Sequence, residues 1–282
     1  VHRIDSTEGT WNVITKVMHH VHCGQEVAFY ELVRPKAKDL TTVSPDLIQI
    51  MRPEDTELVL LSLERVPGDI ADPSRMNAKD IGHFFDLYRA ISDQALEGLP
   101  LRPGQNTTEN GFSHGYLASA MHGFHTLEGV RSTIAWATSA VLNHAYDRTV
   151  VEAVTSISNL LDQKAIHTLV EPTDHYGLLH GDMHRHNVLM APERTTLIDW
   201  SRCTIGPKGI DLAVLFRRFG HDRVIELAMK HGIVPANDQV SVALFSWSLV
   251  LVSLQLDLDG IKQESPEHLF LPAARSIHRA LA

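Results

Sequence analysis

The stretch HGDMHRHNVLM at 180–190, followed by TLIDW at 196–200, constrains this chain more than any other feature. It sets one acid in a tight turn, an amide five residues later and a second acid after another apolar run. Asp182 is a candidate base, whereas Asn187 and Asp199 are hard oxygen donors of the kind that suit Mg²⁺. The apolar runs 188–190 and 196–198 flank APER at 191–194, so they read as two strands joined by a hairpin turn. Such a hairpin brings Asn187, at the start of one strand, to the same end as Asp199, which closes the other. With Asp182 beside them, these groups suit phosphoryl transfer.

A metal cluster of His180, His184 and His186 with Asp182 is the competing reading, since imidazole and carboxylate suit zinc. It would leave Asn187 without a role, and no distant set of histidines and acids completes it.

HGDxxxxN followed by IDW resembles the catalytic loop and metal-binding segment of the aminoglycoside phosphotransferase and choline kinase family, small-molecule relatives of the protein kinases. The likeness runs from about Thr10 to about Ala213. It implies an α+β, protein-kinase-like two-lobed fold. A small N-terminal β-sheet lobe over 1–63 would bind the nucleotide, and a mostly helical lobe over 64–282 would carry the catalytic loop and acceptor site. It also implies ATP or GTP as co-substrate, Mg²⁺ held by Asn187 and Asp199, and Asp182 taking a proton from the acceptor hydroxyl. His180 is expected to brace the loop through the backbone, and His184 either to brace it or to meet substrate or phosphate. GPKGIDLA at 206–213 resembles the family segment whose aspartate anchors the loop from a helix start; Asp211 takes that place and reads equally as an N-cap.

Residues 10–18 are rich in β-formers, and a period of two sets Ile14, Lys16 and Met18 on one face. The resemblance implies that Lys16 reaches the α- and β-phosphates and that Ile14 roofs the base. Apolar positions 27, 30 and 33, with a breaker at Pro35, predict a helix. It is similar to the family helix whose glutamate pairs with that lysine; Glu26 matches, and Glu31 is the alternative. Residues 57–62 predict a strand feeding the hinge, where main chain at Ser62, Leu63 and Glu64 would read the base edge. Only fifteen residues precede Lys16, and 2–5 can make one further strand with Thr7 to Gly9 as its turn. The family's first strand and phosphate-covering loop are thus expected to be absent or reduced. Helical periodicity marks 78–91, 127–147, 149–164 and most of 212–282. A loop over 101–111 carries an Asn106-Thr-Thr sequon without a secretory context.

Eleven residues separate Asp199 from Asp211, too few to hold a peptide, so a small hydroxylated acceptor is expected. An aminoglycoside-like amine would ask for carboxylates, and Asp257, Asp259, Glu264 and Glu267 stand in the tail. A choline- or ethanolamine-type acceptor would ask for aromatic faces such as Trp247. The non-enzyme alternative is a nucleotide-binding pseudokinase. A net charge of −9 argues against nucleic acid as a partner. Two cysteines, Cys23 and Cys203, suit a reducing cytoplasm and not a disulfide framework. No membrane partner is expected: the longest apolar run, 245–256, is broken by Ser246, Ser248, Ser253 and Gln255.

Overall fold

The computed structural model describes residues 2–6, 9–19, 26–37, 39–94, 97, 99, 127–144, 146–162, 176–258 and 267–281. Its first sheet holds four antiparallel strands: β1 (His2–Ser6), β2 (Gly9–His19), β3 (Leu47–Met51) and β4 (Leu58–Glu64). Their spatial order is β1-β2-β4-β3. β4 reads LVLLSLE and lies inside the sheet, and its alternation buries Val59, Leu61 and Leu63 on one face. The pairings Lys16↔Leu61 and Met18↔Val59 put Lys16 on that same face. A helical segment, α1, supplies Phe29, Tyr30 and Val33 to the buried core. It is α-helical at 26–28 and continues as a π-wound stretch, Phe29–Val33. The expected helix is present, but its second half is wound wider than an α-helix. Short α2 (Leu40–Val43) leads into β3.

The rest is mostly helical: α3 (Ala78–Ser92), α4 (Leu127–Asn143), α5 (Arg148–Leu160), α6 (Gly209–Phe216), α7 (His221–Lys230), α8 (Gln239–Leu258) and α9 (Glu267–Leu281). Asn77 and Asp147 start α3 and α5 by accepting hydrogen bonds from the second and third amides beyond them. Two small β units lie between these helices. β5 (Asp69–Ile70), β7 (Val188–Met190) and β8 (Thr195–Leu197) form one sheet, and β6 (Tyr176–Leu179) pairs with β9 (Thr204–Pro207). The architecture is α+β, as the sequence leads one to expect.

The tail differs from its reading. Residues Gln239–Asp257 make a helix long and apolar enough to cross a membrane, and 83% of that stretch is buried within the protein. Its serines do not interrupt it: Ser246 and Ser248 donate to Val242 and Leu244 carbonyls one turn back, each at 2.8 Å. α8 packs against α6, α9 and α4, as a core helix does. Asp211 is also not a cap: Lys208 precedes α6, and Asp211 lies inside its first turn. Cys23, the turn at 7–8, the loop with Asn106, Asp259, Glu264 and the side chain of Glu267 lie outside the described residues.

Candidate active site

Lys16 leaves β2 toward α1, where its ammonium donates to both oxygens of Glu26 at 2.7 and 2.8 Å. Glu26 is only 2% exposed. Burial raises its carboxyl pKa, and Asp199 adds to that rise while Lys16 opposes it. A second contact runs from Lys16 Nζ to Asp199 at 3.8 Å, so one cation faces two acids. Glu31 is turned elsewhere and takes Arg52 at 3.1 Å, which removes it as the lysine's partner. Ile14, on the Lys16 face, is 40% exposed.

Beyond β6 the chain turns sharply, and the turn is held from three sides. Asp211 accepts from the amides of His180 at 2.7 Å and Gly181 at 2.9 Å. Burial pushes its pKa up to about 7, although the two N–H groups pull the other way. Gly181 has φ +82, and a Cβ there would lie 1.9 Å from the Arg202 carbonyl oxygen, so only glycine fits. His180 is fully buried, which lowers its pKa to about 4 and keeps the ring neutral. Its Nε2 lies 2.9 Å from the Ile198 carbonyl, and its Nδ1 lies 3.3 Å from the Asp182 amide. The tautomer follows: Nε2–H donates to the carbonyl, and Nδ1 accepts.

The β7–β8 register pairs Val188 with Leu197, and the Ile198 amide donates to the Asn187 carbonyl at 2.9 Å. Asn187 and Asp199 therefore meet at one end of the hairpin. Asn187 Nδ2 donates to the Asp182 carbonyl at 2.9 Å, which leaves its amide oxygen as the group to offer a cation. Asp199 adopts φ 63, an uncommon conformation for a residue other than glycine. Burial would raise its pKa, but the Lys16 ammonium and a hydrogen bond from Ser201 outweigh that and hold it below the usual range. A carboxylate kept ionised next to an amide oxygen is a donor set that fits Mg²⁺. His184 accepts from the His186 amide at 3.2 Å and caps the 3₁₀ turn Arg185–Asn187, a bracing position. Among the described residues no three His, Cys, Asp or Glu side chains are grouped to hold a metal, so the histidine cluster does not form there.

The main chain expected to read a base edge, at Ser62, Leu63 and Glu64, is already engaged in the sheet. Ser62 and Leu63 lie within β4, paired on both sides, and Glu64 and Arg65 donate to the Asp46 and Asn12 carbonyls. Two arginines carry contacts that the sequence did not announce. Arg202 Nε stands 3.7 Å from Asp182 Oδ2. Arg194, in the hairpin turn, donates to the Ser44 carbonyl at 2.8 Å and to Glu64 at 3.3 Å, tying the hairpin to the first sheet. Neither follows a spacing rule, because each partner is fixed by tertiary proximity alone.

A family model described as the phosphotransferase enzyme family matches residues 16–234, which spans both the Lys16–Glu26 pair and the catalytic hairpin. The chain belongs to that family. It is a phosphotransferase of the kinase type, acting on a hydroxyl group of a small molecule. No curated protein matches this phosphotransferase. Solved structures share its kinase-like fold at low identity. The GDP complex of aminoglycoside 2'-phosphotransferase-IIIa superposes with a TM-score of 0.56 at 12% identity, covering 93% of this chain and 82% of the other. Aminoglycoside phosphotransferase APH(4)-Ia gives 0.52 at 16%, covering 99% and 86%. APH(3'')-Id from Streptomyces rimosus, solved with ADP and streptomycin, gives 0.50 at 16%, covering 90% and 92%.

Proposed function

We propose that this phosphotransferase moves the γ-phosphate of ATP or GTP to a hydroxyl of a small, amine-bearing, polyhydroxylated acceptor. The observation that carries this reading is the gathering of five groups into one site: Lys16 bonds Glu26 at 2.7 Å and faces Asp199 at 3.8 Å, Asn187 bonds the Asp182 carbonyl at 2.9 Å, and the β7–β8 hairpin joins the two sets. The nucleotide would lie between the sheet that ends at residue 64 and the helical remainder, with Ile14 against the base. Lys16, fixed by Glu26, would position the α- and β-phosphates. Asn187 Oδ1 and the Asp199 carboxylate would hold Mg²⁺, which supplies charge neutralisation across the phosphates. Asp182 would orient the acceptor hydroxyl and take its proton as the oxygen bonds to the γ-phosphorus and the bond to the leaving β-phosphate oxygen breaks. Arg202, whose Nε stands 3.7 Å from Asp182 Oδ2, would steady that carboxylate.

An acceptor with ammonium groups is supported by the streptomycin in the Streptomyces rimosus structure and by the acids of the tail. One of those acids already has a structural partner: Asp257 accepts from the Tyr146 hydroxyl at 3.2 Å. Trp247 is fully buried in the helical core, which removes the aromatic face that a choline-type acceptor would need from that residue.

Asp182→Asn tests the proposal, since it keeps the shape of the side chain and removes its charge and basicity. Mg²⁺–nucleotide affinity should stay near the parent's, while phosphoryl transfer falls by about 10²–10⁴-fold. Transfer at nearly the parental rate would sink the assignment of Asp182 as base.

A further inference from the structure

Helices α5 and α9 pack side by side and leave a groove of about 650 Å³ between them, remote in sequence from the catalytic loop. Its apolar lining is Ala153, Leu271 and Ala274. Its polar groups are Ser156, Arg275, His278 and Arg279. Ser156 Oγ and His278 Nε2 are 2.7 Å apart across the groove, which joins the two helices. Arg275 and Arg279 stand one turn apart on α9 and point to the same side.

That arrangement is unfavourable by itself. Like charges four residues apart on a helix repel, and neither guanidinium has a carboxylate partner among the described residues. Among the described residues, Arg279 donates one hydrogen bond, to the Arg275 carbonyl at 3.3 Å. Both arginines are exposed, so water screens that repulsion, but they bring two positive charges to one groove with no acid partner among the described residues. Their field reaches the neighbouring buried His221, where both help burial to lower the ring's pKa.

We propose that the α5–α9 groove binds a small anion with an apolar body, such as a carboxylate or a phosphate monoester. The charged end meets Arg275 and Arg279, with His278 and Ser156 beside them, and the hydrocarbon part lies on Ala153, Leu271 and Ala274. Guanidinium groups suit both carboxylate and phosphate oxygens, so the geometry sets the class of ligand and the titration separates its members. The site does not depend on the phosphotransferase reaction.

The test is a calorimetric titration of the whole chain with n-butyl phosphate, butyrate, inorganic phosphate and butanol as separate probes. Saturable one-to-one binding is expected for butyl phosphate or butyrate, weaker for inorganic phosphate and none for butanol. It should weaken at least about tenfold in Arg275→Gln/Arg279→Gln, and should weaken also as salt is raised. The double variant without ligand should melt at or slightly above the parent's Tm, because it relieves a repulsion. No saturable binding of either amphipathic anion, or equal binding in the double variant, overturns the proposal. So does a clear fall in Tm, which would make the arginines structural. No turnover is measured, so failure here leaves the phosphotransferase reading untouched.

Discussion

The loop around Asp182 and the helix α8 both bury polar side chains, but they direct the hydrogen bonds differently. In the loop, Asp211 holds amides about thirty residues away in sequence, and Asn187 and His180 hold main chain of neighbouring turns. In α8, Ser248 returns its proton to its own helix. The first pattern fixes where a carboxylate stands; the second only makes burial tolerable. Substitutions should therefore separate the two regions by what they damage, geometry in one and almost nothing in the other.

The largest effect should come at the cation shared by both acids. Lys16→Ala should lower kcat/KM by two or more orders of magnitude while the protein remains folded by circular dichroism. A double-mutant cycle with Glu26→Ala should show strong coupling, because Glu26 acts through the lysine. Strictly additive losses would show that the two do not act as a pair.

Removing the loop anchor should come next. Asp211→Ala leaves the His180 and Gly181 amides buried without an acceptor, at a cost of roughly 2–5 kcal/mol in denaturant unfolding. A loss below about 1 kcal/mol would mean that the loop holds itself.

Two buried groups in the loop titrate in opposite directions, which gives a sharper test. The folded pKa of His180, about 4, lies below its ordinary value. Its contribution to stability is complete above about pH 6.5 and is lost as pH falls through about 4. The folded pKa of Asp211, about 7, lies above its ordinary value. Its contribution is present below about pH 4 and is lost as pH rises through about 7. Relative to the parent, His180→Gln should gain stability as pH falls from 6.5 toward 4, by up to about 3 kcal/mol. Asp211→Asn should gain, relative to the parent, as pH rises from 4 to 7. Thermal melts across that range check it; slopes of the same sign in both variants would contradict the burial argument.

The smallest effect belongs to α8. Ser248→Ala removes one helix-internal bond and no distant contact, so unfolding should shift by about 1 kcal/mol or less. A larger loss would erase the contrast between the two regions.

What could be read from the chain follows the same division. Asp182, Asn187 and Asp199 fall within eighteen residues, and a hairpin places them by local rules. The Lys16–Glu26 pair is also close in sequence and sits on adjacent elements. The engagement of Ser62, Leu63 and Glu64 in the sheet was not legible, because which strand amides are already paired cannot be seen in side-chain types. Asp211 looked like a cap because a helix start and a buried anchor use the same residue. Arg194 and Arg202 left no periodic trace, since their partners are set by packing. The serines of α8 read as breaks only while their bonds to carbonyls one turn back were out of view.

One aromatic contact ties the two acids of the cation site together. Phe29 follows Glu26 by three residues, Trp200 follows Asp199 directly, and their rings stack 4.3 Å apart with 5° between planes. Separating the two carboxylates means sliding one ring off the other, and an indole is a chromophore. The native chain thus holds an optical gauge beside its candidate active site. Near-ultraviolet dichroism and emission, taken as the difference from a Trp200→Phe variant because the chain has four tryptophans, should register the spacing of Glu26 and Asp199 with no label attached.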